Sequence, residues 1–280
     1  MKEFKERIEI LRQYFLKRPD IVMAFIFGSR ANNLAMAESD ADIAVYFKPA
    51  SQELEWEEER TYPNEDQIWS DVEKIIGLRT DLVVLNRAPA ALASSVVEGG
   101  KPIIIKDERL YRRFWLAVSA AAEDFRDFVT DFWHIKEHSQ SLSSVDKERL
   151  MRTVDFLEAE LGDGVSFKNL TRKTYETDAA LRRNVERWAE NIVNASIDIA
   201  KIILASEKKR LPQTYREILE ELAQLENFDE GNAQVLAKFS KLRNILAHEY
   251  LDIRFNHIRD FIREYARPYR AIVDFVKGKL

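Results

Sequence analysis

The chain of 280 residues contains no cysteine and only four histidines, at positions 134, 138, 248 and 257. This excludes a thiolate zinc site, a disulfide framework and a cysteine nucleophile. No apolar run approaches the length of a membrane span, and the opening Met1-Lys-Glu-Phe-Lys-Glu6 lacks the apolar centre of a signal peptide. The expected location is therefore the cytoplasm, with no membrane partner. A large excess of one charge is also missing. The net charge of −5 is carried by residues 1–107, and the remainder balances to zero. Neither part is a general polyanion binder, so contact with nucleic acid requires a local patch. Hydrophobic residues make up 46% and charged residues 32%, which favours a packed core over global disorder. The length fits one large domain or two ordinary ones.

Glycine is scarce too, with eight in the chain, and the first sits in the most informative stretch. Residues 25–47, Phe-Ile-Phe-Gly-Ser-Arg-Ala-Asn-Asn-Leu-Ala-Met-Ala-Glu-Ser-Asp-Ala-Asp-Ile-Ala-Val-Tyr-Phe, read as a strand, a Gly-Ser turn, a connection and a second strand. Ile21 to Phe27 is an apolar run of buried-strand length. Gly28 permits a sharp turn and a close approach of backbone to ligand. Ser29 adds a hydroxyl where freed N–H groups can hold a phosphate. Asp40 and Asp42 lie two apart on a strand, so both carboxylates point to one face. Such a pair beside a phosphate-holding turn suits Mg²⁺ and a nucleoside triphosphate, because Mg²⁺ takes few carboxylates and completes its shell with substrate oxygens. Thr80 to Asn86 is a further strand with Asp81 at its entrance. Alongside the other two, Asp81 completes a two-metal clamp for in-line phosphoryl or nucleotidyl transfer.

Gly28-Ser29, ten residues, Asp40-Ala-Asp42 and then Asp81 together resemble the DNA polymerase β nucleotidyltransferase superfamily. Gly28-Ser-Arg30, Ser39-Asp-Ala-Asp-Ile43, Val84-Leu-Asn-Arg-Ala-Pro89 and Glu98-Gly-Gly-Lys-Pro-Ile-Ile104 resemble its minimal nucleotidyltransferase branch. The resemblance implies a mixed sheet with helices and catalytic Asp40, Asp42 and Asp81 holding Mg²⁺. It also implies Gly28, Ser29 and Arg30 on the triphosphate of ATP, the AMP donor. Asn32-Asn33 stand where many relatives carry Arg-Gly.

Along the chain, Phe4, Ile8, Leu11, Tyr14 and Phe15 lay down a helical stripe that Pro19-Asp20 ends. The acidic run Glu53 to Arg60, around Trp56, reads as a solvated helix face or loop. Asp71 to Ile76 predicts a short helix, Pro89 to Val97 a helix stopped by Gly99-Gly100, and Lys101 to Lys106 a last strand. Strand and helix alternate to about residue 107, an α/β mini-domain. No strand is expected beyond it. Tyr111, Trp115, Val118, Ala122, Phe125, Val129 and Phe132 form the stripe of a connecting helix over 108–142. Ser143 and the acids after it start a helix through Leu161, ended by Gly162 and Gly164. Helices follow over 176–206, 212–225, 229–250 and 252–277, the last kinked at Pro268. The whole is of α+β class, with a mixed-sheet domain over 1–107 and an all-α bundle over 143–280.

Within that bundle, Lys241-Leu-Arg-Asn-Ile-Leu-Ala-His-Glu-Tyr250 is distinctive. Val235, Phe239, Leu242 and Leu246 make its core stripe. At about 100° per residue, Asn244 lies opposite that stripe with His248 close to it, and Arg243 and Tyr250 share a flank. All four are expected to point away from the helix's own core. Arg243, four residues, His248, one residue, Tyr250 resembles the Arg-x4-His-x-Tyr signature of HEPN domains of the HepT toxin group. The likeness covers about residues 143–280, including the long helix through Asn184-Val-Glu-Arg187 and Ile197-Asp-Ile-Ala200. It implies a bundle that assembles as a homodimer or higher homo-oligomer, joining two Arg–His pairs in one cleft as a metal-independent ribonuclease. There His248 is the general acid or base at a ribose hydroxyl, Arg243 stabilises charge on the scissile phosphate, and Asn244 supports them. Lys208-Lys-Arg210 and Arg182-Arg183 read as solvated basic clusters.

Each half thus resembles one member of a toxin–antitoxin pair. As the family implies, the transferase of that pair moves AMP from ATP onto the tyrosine of Arg-x4-His-x-Tyr and silences the nuclease. The expectation is a fused protein with Tyr250 as acceptor, in the same or a partner chain, and with ATP, the HEPN domain and an RNA as its partners. The same layout also serves enzymes that adenylylate small molecules such as aminoglycosides. There the bundle shapes a substrate pocket, Arg243 and His248 have no nuclease role, and an acidic run such as 53–59 belongs to the substrate cleft. A nucleotide-binding module without turnover fits poorly with three intact acids.

Overall fold

Four short runs rich in β-branched and aromatic residues form one sheet in the computed structural model, which describes residues 2–31, 40–50, 54–138, 142–248 and 254–280. They are β1 (Ile21–Phe27), β2 (Ala41–Phe47), β3 (Thr80–Val84) and β4 (Lys101–Ile105), in the order β3-β2-β1-β4. β1 runs antiparallel to β2 and β4, whereas β2 and β3 are parallel, so the sheet is mixed. Pro102, which cannot donate to a ladder, lies in the edge strand β4.

Both faces of the sheet are covered. Ala24, Ile26, Ile43 and Val45 pack against Leu11 and Phe15 of α1 (Lys2–Leu16) and against Ile68, Val72 and Ile76 of α3 (Glu65–Ile76). On the opposite face Phe25, Ala44 and Tyr46 meet Ala93 and Val96 of α4 (Ala90–Gly99) and Phe114 and Val118 of α5 (Glu108–His138). The period-two alternation of a strand divides its residues between two cores. Each large apolar side chain buried this way contributes about 1.5–3 kcal/mol. The helix before β3 begins at Glu65, earlier than the expected Asp71.

The run around Trp56 corrects a sequence expectation. Leu54, Glu55 and Trp56 are all buried. One Glu55 oxygen accepts from Tyr62 Oη (2.7 Å), Asn86 Nδ2 (3.1 Å) and Arg60 Nη2 (3.1 Å). The other accepts from the Ala50 amide at 3.1 Å. Asn86, fully buried, also bonds both backbone groups of Phe47. A buried carboxylate is tolerated only with such partners. This part of the run is an internal polar staple and not a solvated face.

By internal packing the chain divides into two units, Met1–Asp124 and Phe125–Leu280, and the division falls within α5. The second unit continues with α6 (Ser144–Asp163), a 3₁₀ turn over Gly164–Phe167, α7 (Arg172–Thr177) and α8 (Ala179–Ser206). It closes with α9 (Tyr215–Glu220), a second 3₁₀ turn, α10 (Glu230–His248), α11 (Arg254–Glu264) and α12 (Ala266–Lys279). Ser143 caps α6 by accepting from the Asp146 amide, and Asp178 caps α8 through the amides of Ala180 and Leu181. From Ala195 to Ser206 every residue of α8 except Asp198 is buried, the signature of a helix packed all round. A Cβ on Gly164 would lie 2.0 Å from Tyr265 Oη and 2.7 Å from the Trp188 ring, so close packing demands glycine there. The helix expected over 252–277 is interrupted at Tyr265, whose backbone stays helical (φ −62°, ψ −38°), and Pro268 accounts for the kink because it has no amide to bond back four residues to Glu264. No helix among the described residues is long and apolar enough to cross a membrane.

Candidate functional sites

The first site forms where β1 ends. Gly28 adopts φ +68°, the left-handed region, and opens the short helical turn α2 (Gly28–Ala31). A Cβ there would lie 2.1 Å from Asp42 Oδ2. The position therefore requires glycine twice, for its backbone and for the carboxylate pressed against it. Asp42 stands opposite Phe27 in the antiparallel ladder and opposite Asp81 in the parallel one. In register on neighbouring strands, Asp42 and Asp81 share a face, the same one on which Ala44 and Tyr46 meet α4 and α5. Asp40 directly precedes β2 and is fixed through its backbone. Arg30 Nε donates to the Asp40 carbonyl at 3.2 Å, and the Ala41 amide donates to Arg79 O at 2.9 Å.

Electrostatically the three acids act on one centre. Partial burial raises the Asp42 carboxyl above its usual range, Asp81 and Asp40 push it the same way, and Arg30 opposes them. Negative groups that resist each other's ionisation are relieved by a cation. Among the described residues no three His, Cys, Asp or Glu side chains, Asp40, Asp42 and Asp81 included, are grouped so as to hold a metal ion between them. Asp42 is half-buried in the notch and Asp81 is exposed, an open set of hard oxygen donors suited to an ion that keeps waters and substrate oxygens. Arg79 belongs to no motif in the sequence. Its Nε lies 3.9 Å from Asp40 Oδ2, but Arg79 is 79% exposed, so solvent screens the pair. Ser29 is half-buried on α2, and Arg30 also lies over the Phe4 ring at 5.3 Å.

The second site lies on α10. Arg243 is half-buried, its guanidinium carbon 4.1 Å from the centroid of the Tyr215 ring. Asn244 is only 5% exposed, contrary to the expectation that it points away from the core. The wheel assumed one buried stripe, whereas α10 packs against α8, α9, α11 and α12, so more than one of its sides is buried. Ile245, off the expected stripe, is buried for the same reason. His248 is the last residue of α10, and its side chain lies outside the described residues, as does Tyr250.

Beneath this region is an ion network that the sequence did not disclose. Lys201, 5% exposed, bonds Asp131 Oδ2 at 2.7 Å and Asp198 Oδ1 at 2.8 Å. Asp131 also takes both Nη atoms of Arg149, at 3.1 and 2.7 Å. Burial alone would raise the Asp131 carboxyl, but its bonds to Arg149 and Lys201 outweigh that and hold it at about 2.

Comparison with known proteins follows the same division. The polymerase beta nucleotidyltransferase family model matches residues 9–109, and the ribonuclease HepT-like model matches residues 135–276. The chain is 24% identical over 130 residues to the mRNA nuclease HepT of Shewanella oneidensis, covering 46% of this chain and 92% of the relative. A crystal structure of a toxin–antitoxin with AMP-PNP aligns at 20% identity and a TM-score of 0.35, covering 43% of this chain and 90% of that one.

Proposed function

We propose, for a chain that belongs to the ribonuclease HepT-like family and carries a polymerase β-type nucleotidyltransferase domain ahead of it, that the first domain transfers AMP from ATP onto Tyr250 and thereby silences a nuclease built on Arg243 and His248. The observation that carries this reading is the notch at Gly28. There Asp42 is pressed against a left-handed glycine and faces Asp81 across a parallel ladder, and burial together with Asp81 and Asp40 raises its carboxyl above the usual range.

Asp40, Asp42 and Asp81 offer only oxygen donors, the chemistry that Mg²⁺ prefers, and are the residues that would hold it. When bound, Mg²⁺ supplies charge neutralisation for the triphosphate and the leaving group. The turn at Gly28 and Ser29, with Arg30, orients the phosphates. The Tyr250 oxygen forms a bond to the α-phosphorus as the α–β bridging bond breaks. Pyrophosphate leaves with the electron pair, and the phenol proton passes to a carboxylate of the set or to water. In the second domain His248 moves the proton of a ribose hydroxyl and Arg243 stabilises charge on the scissile phosphate. AMP on Tyr250 would bring an anion and a base onto the motif that must receive RNA phosphate. A small-molecule acceptor has less support, because Glu55 of the acidic run is engaged internally.

The test is RNA cleavage. A chain bearing Asp42→Asn, unable to modify itself, should cut RNA with or without ATP and Mg²⁺. The parent chain should lose cutting after incubation with both. Equal cutting by the two after that incubation contradicts the proposal.

A further inference from the structure

Arg243 does not stand alone on α10. Its guanidinium carbon lies over the Tyr215 ring at 4.1 Å, and that ring is itself only 5% exposed. Tyr215 opens α9, whose first turn is fixed by Thr214 accepting from the Glu217 amide at 3.0 Å. Two further rings hold its plane nearly perpendicular to theirs: Phe125 at 5.2 Å and 79°, and Phe128 at 5.5 Å and 85°. Phe128 is braced in turn by the Lys201 ammonium, 5.4 Å from its centroid, which Asp131 and Asp198 pin. The tyrosine is thus an anchored platform and not a mobile side chain resting on an arginine.

A guanidinium stacked on an aromatic face keeps its N–H groups in its own plane, along the edge used for paired bonds to a phosphate. Stacking in a poorly hydrated setting also strengthens the attraction between cation and ring. We infer that Tyr215 is the positioning residue of the second site, fixing the plane of the Arg243 guanidinium for an RNA phosphate. Its consequence for catalysis rests on the nuclease reading above, whereas its geometry does not. The platform requires the aromatic face and not the hydroxyl, which gives the test its selectivity.

The experiment uses full-length chains carrying Asp42→Asn, so that Tyr250 stays unmodified. The Tyr215→Phe chain should cleave RNA within about twofold of its parent, and Tyr215→Leu should lose roughly tenfold in kcat, with KM changing less. A Tyr215→Leu chain that melts cooperatively yet cleaves within about twofold of its parent overturns the inference. A second measurement needs neither folding of that variant nor cleavage. In the unsubstituted chain with isotope-labelled arginine, the Arg243 δ protons should lie upfield of ordinary arginine through the ring current. They should also move on adding 2′-O-methyl RNA. Ordinary shifts, or shifts indifferent to that RNA, overturn the inference. Absence of cleavage by the parent with these NMR responses present would sink the nuclease reading alone.

Discussion

The two candidate sites are built by different means. The acidic notch is held by backbone: ladder register places Asp42 beside Asp81, and a left-handed Gly28 admits the carboxylate. The α10 site is held by side chains, with Arg243 on Tyr215 and the ring cluster braced by Lys201. A backbone-built site tolerates crowding of like charges, because the sheet keeps the acids in place. A site assembled from side chains needs its charges paired, and Asp131, Lys201 and Arg149 meet that need. The carboxyls of Asp42 and Asp131 are accordingly displaced in opposite directions.

Neutralising each acid in turn separates the two sites most strongly. Asp42→Asn should lower AMP transfer by about a thousandfold, the scale of removing a group that stabilises transition-state charge. It should leave the melting temperature unchanged or higher, since it relieves a crowded charge; nucleotide turnover and calorimetry check both. Asp131→Asn should do the reverse, costing about 3 kcal/mol in denaturant unfolding by leaving the Lys201 ammonium with one anion fewer. Gly28→Ala should cost about 1–3 kcal/mol from left-handed strain, and should abolish transfer by driving the Asp42 carboxylate out of the notch. Folding and turnover assays on the same preparation separate these effects.

The smallest effect is the response to acid. Asp131 is held below its ordinary value of 3.8, so its contribution is fully present above that value and is lost as pH falls through about 2. Asp42 is raised, so its ionised form burdens the folded state at neutral pH, and the burden lifts as pH falls through its folded value. Hydrogen exchange read by peptide should therefore find the peptides bearing Asp42 and Asp131 responding to acidification with opposite sign. Loss of protection in both, in parallel, would contradict the difference.

This contrast also explains what the sequence disclosed. Strand periodicity is strict, so the two-residue alternation of β2 could be read from the sequence, and the sharp turn at Gly28 from glycine's freedom. The mixed sheet followed by a helical region agrees with expectation for the same reason. Helical spacing assigns a residue to a side of its helix but not a neighbour to that side. That is why spacing points Asn244 away from the core stripe although α10 is packed on several sides and buries it. Tyr215 lies 28 residues before Arg243, and no spacing rule links them. Glu55 misled through composition: an acidic run reads as solvated unless one can see that Tyr62, Asn86 and Arg60 converge on it.

Under the proposed function, this chain modifies its own HEPN motif. Intact and peptide mass spectrometry of the purified protein, before and after incubation with ATP and Mg²⁺, tests it most directly. The expected result is addition of AMP to the peptide bearing Tyr250, absent in Asp42→Asn. An unmodified Tyr250 in both samples, alongside active metal-dependent ATP turnover, would contradict it.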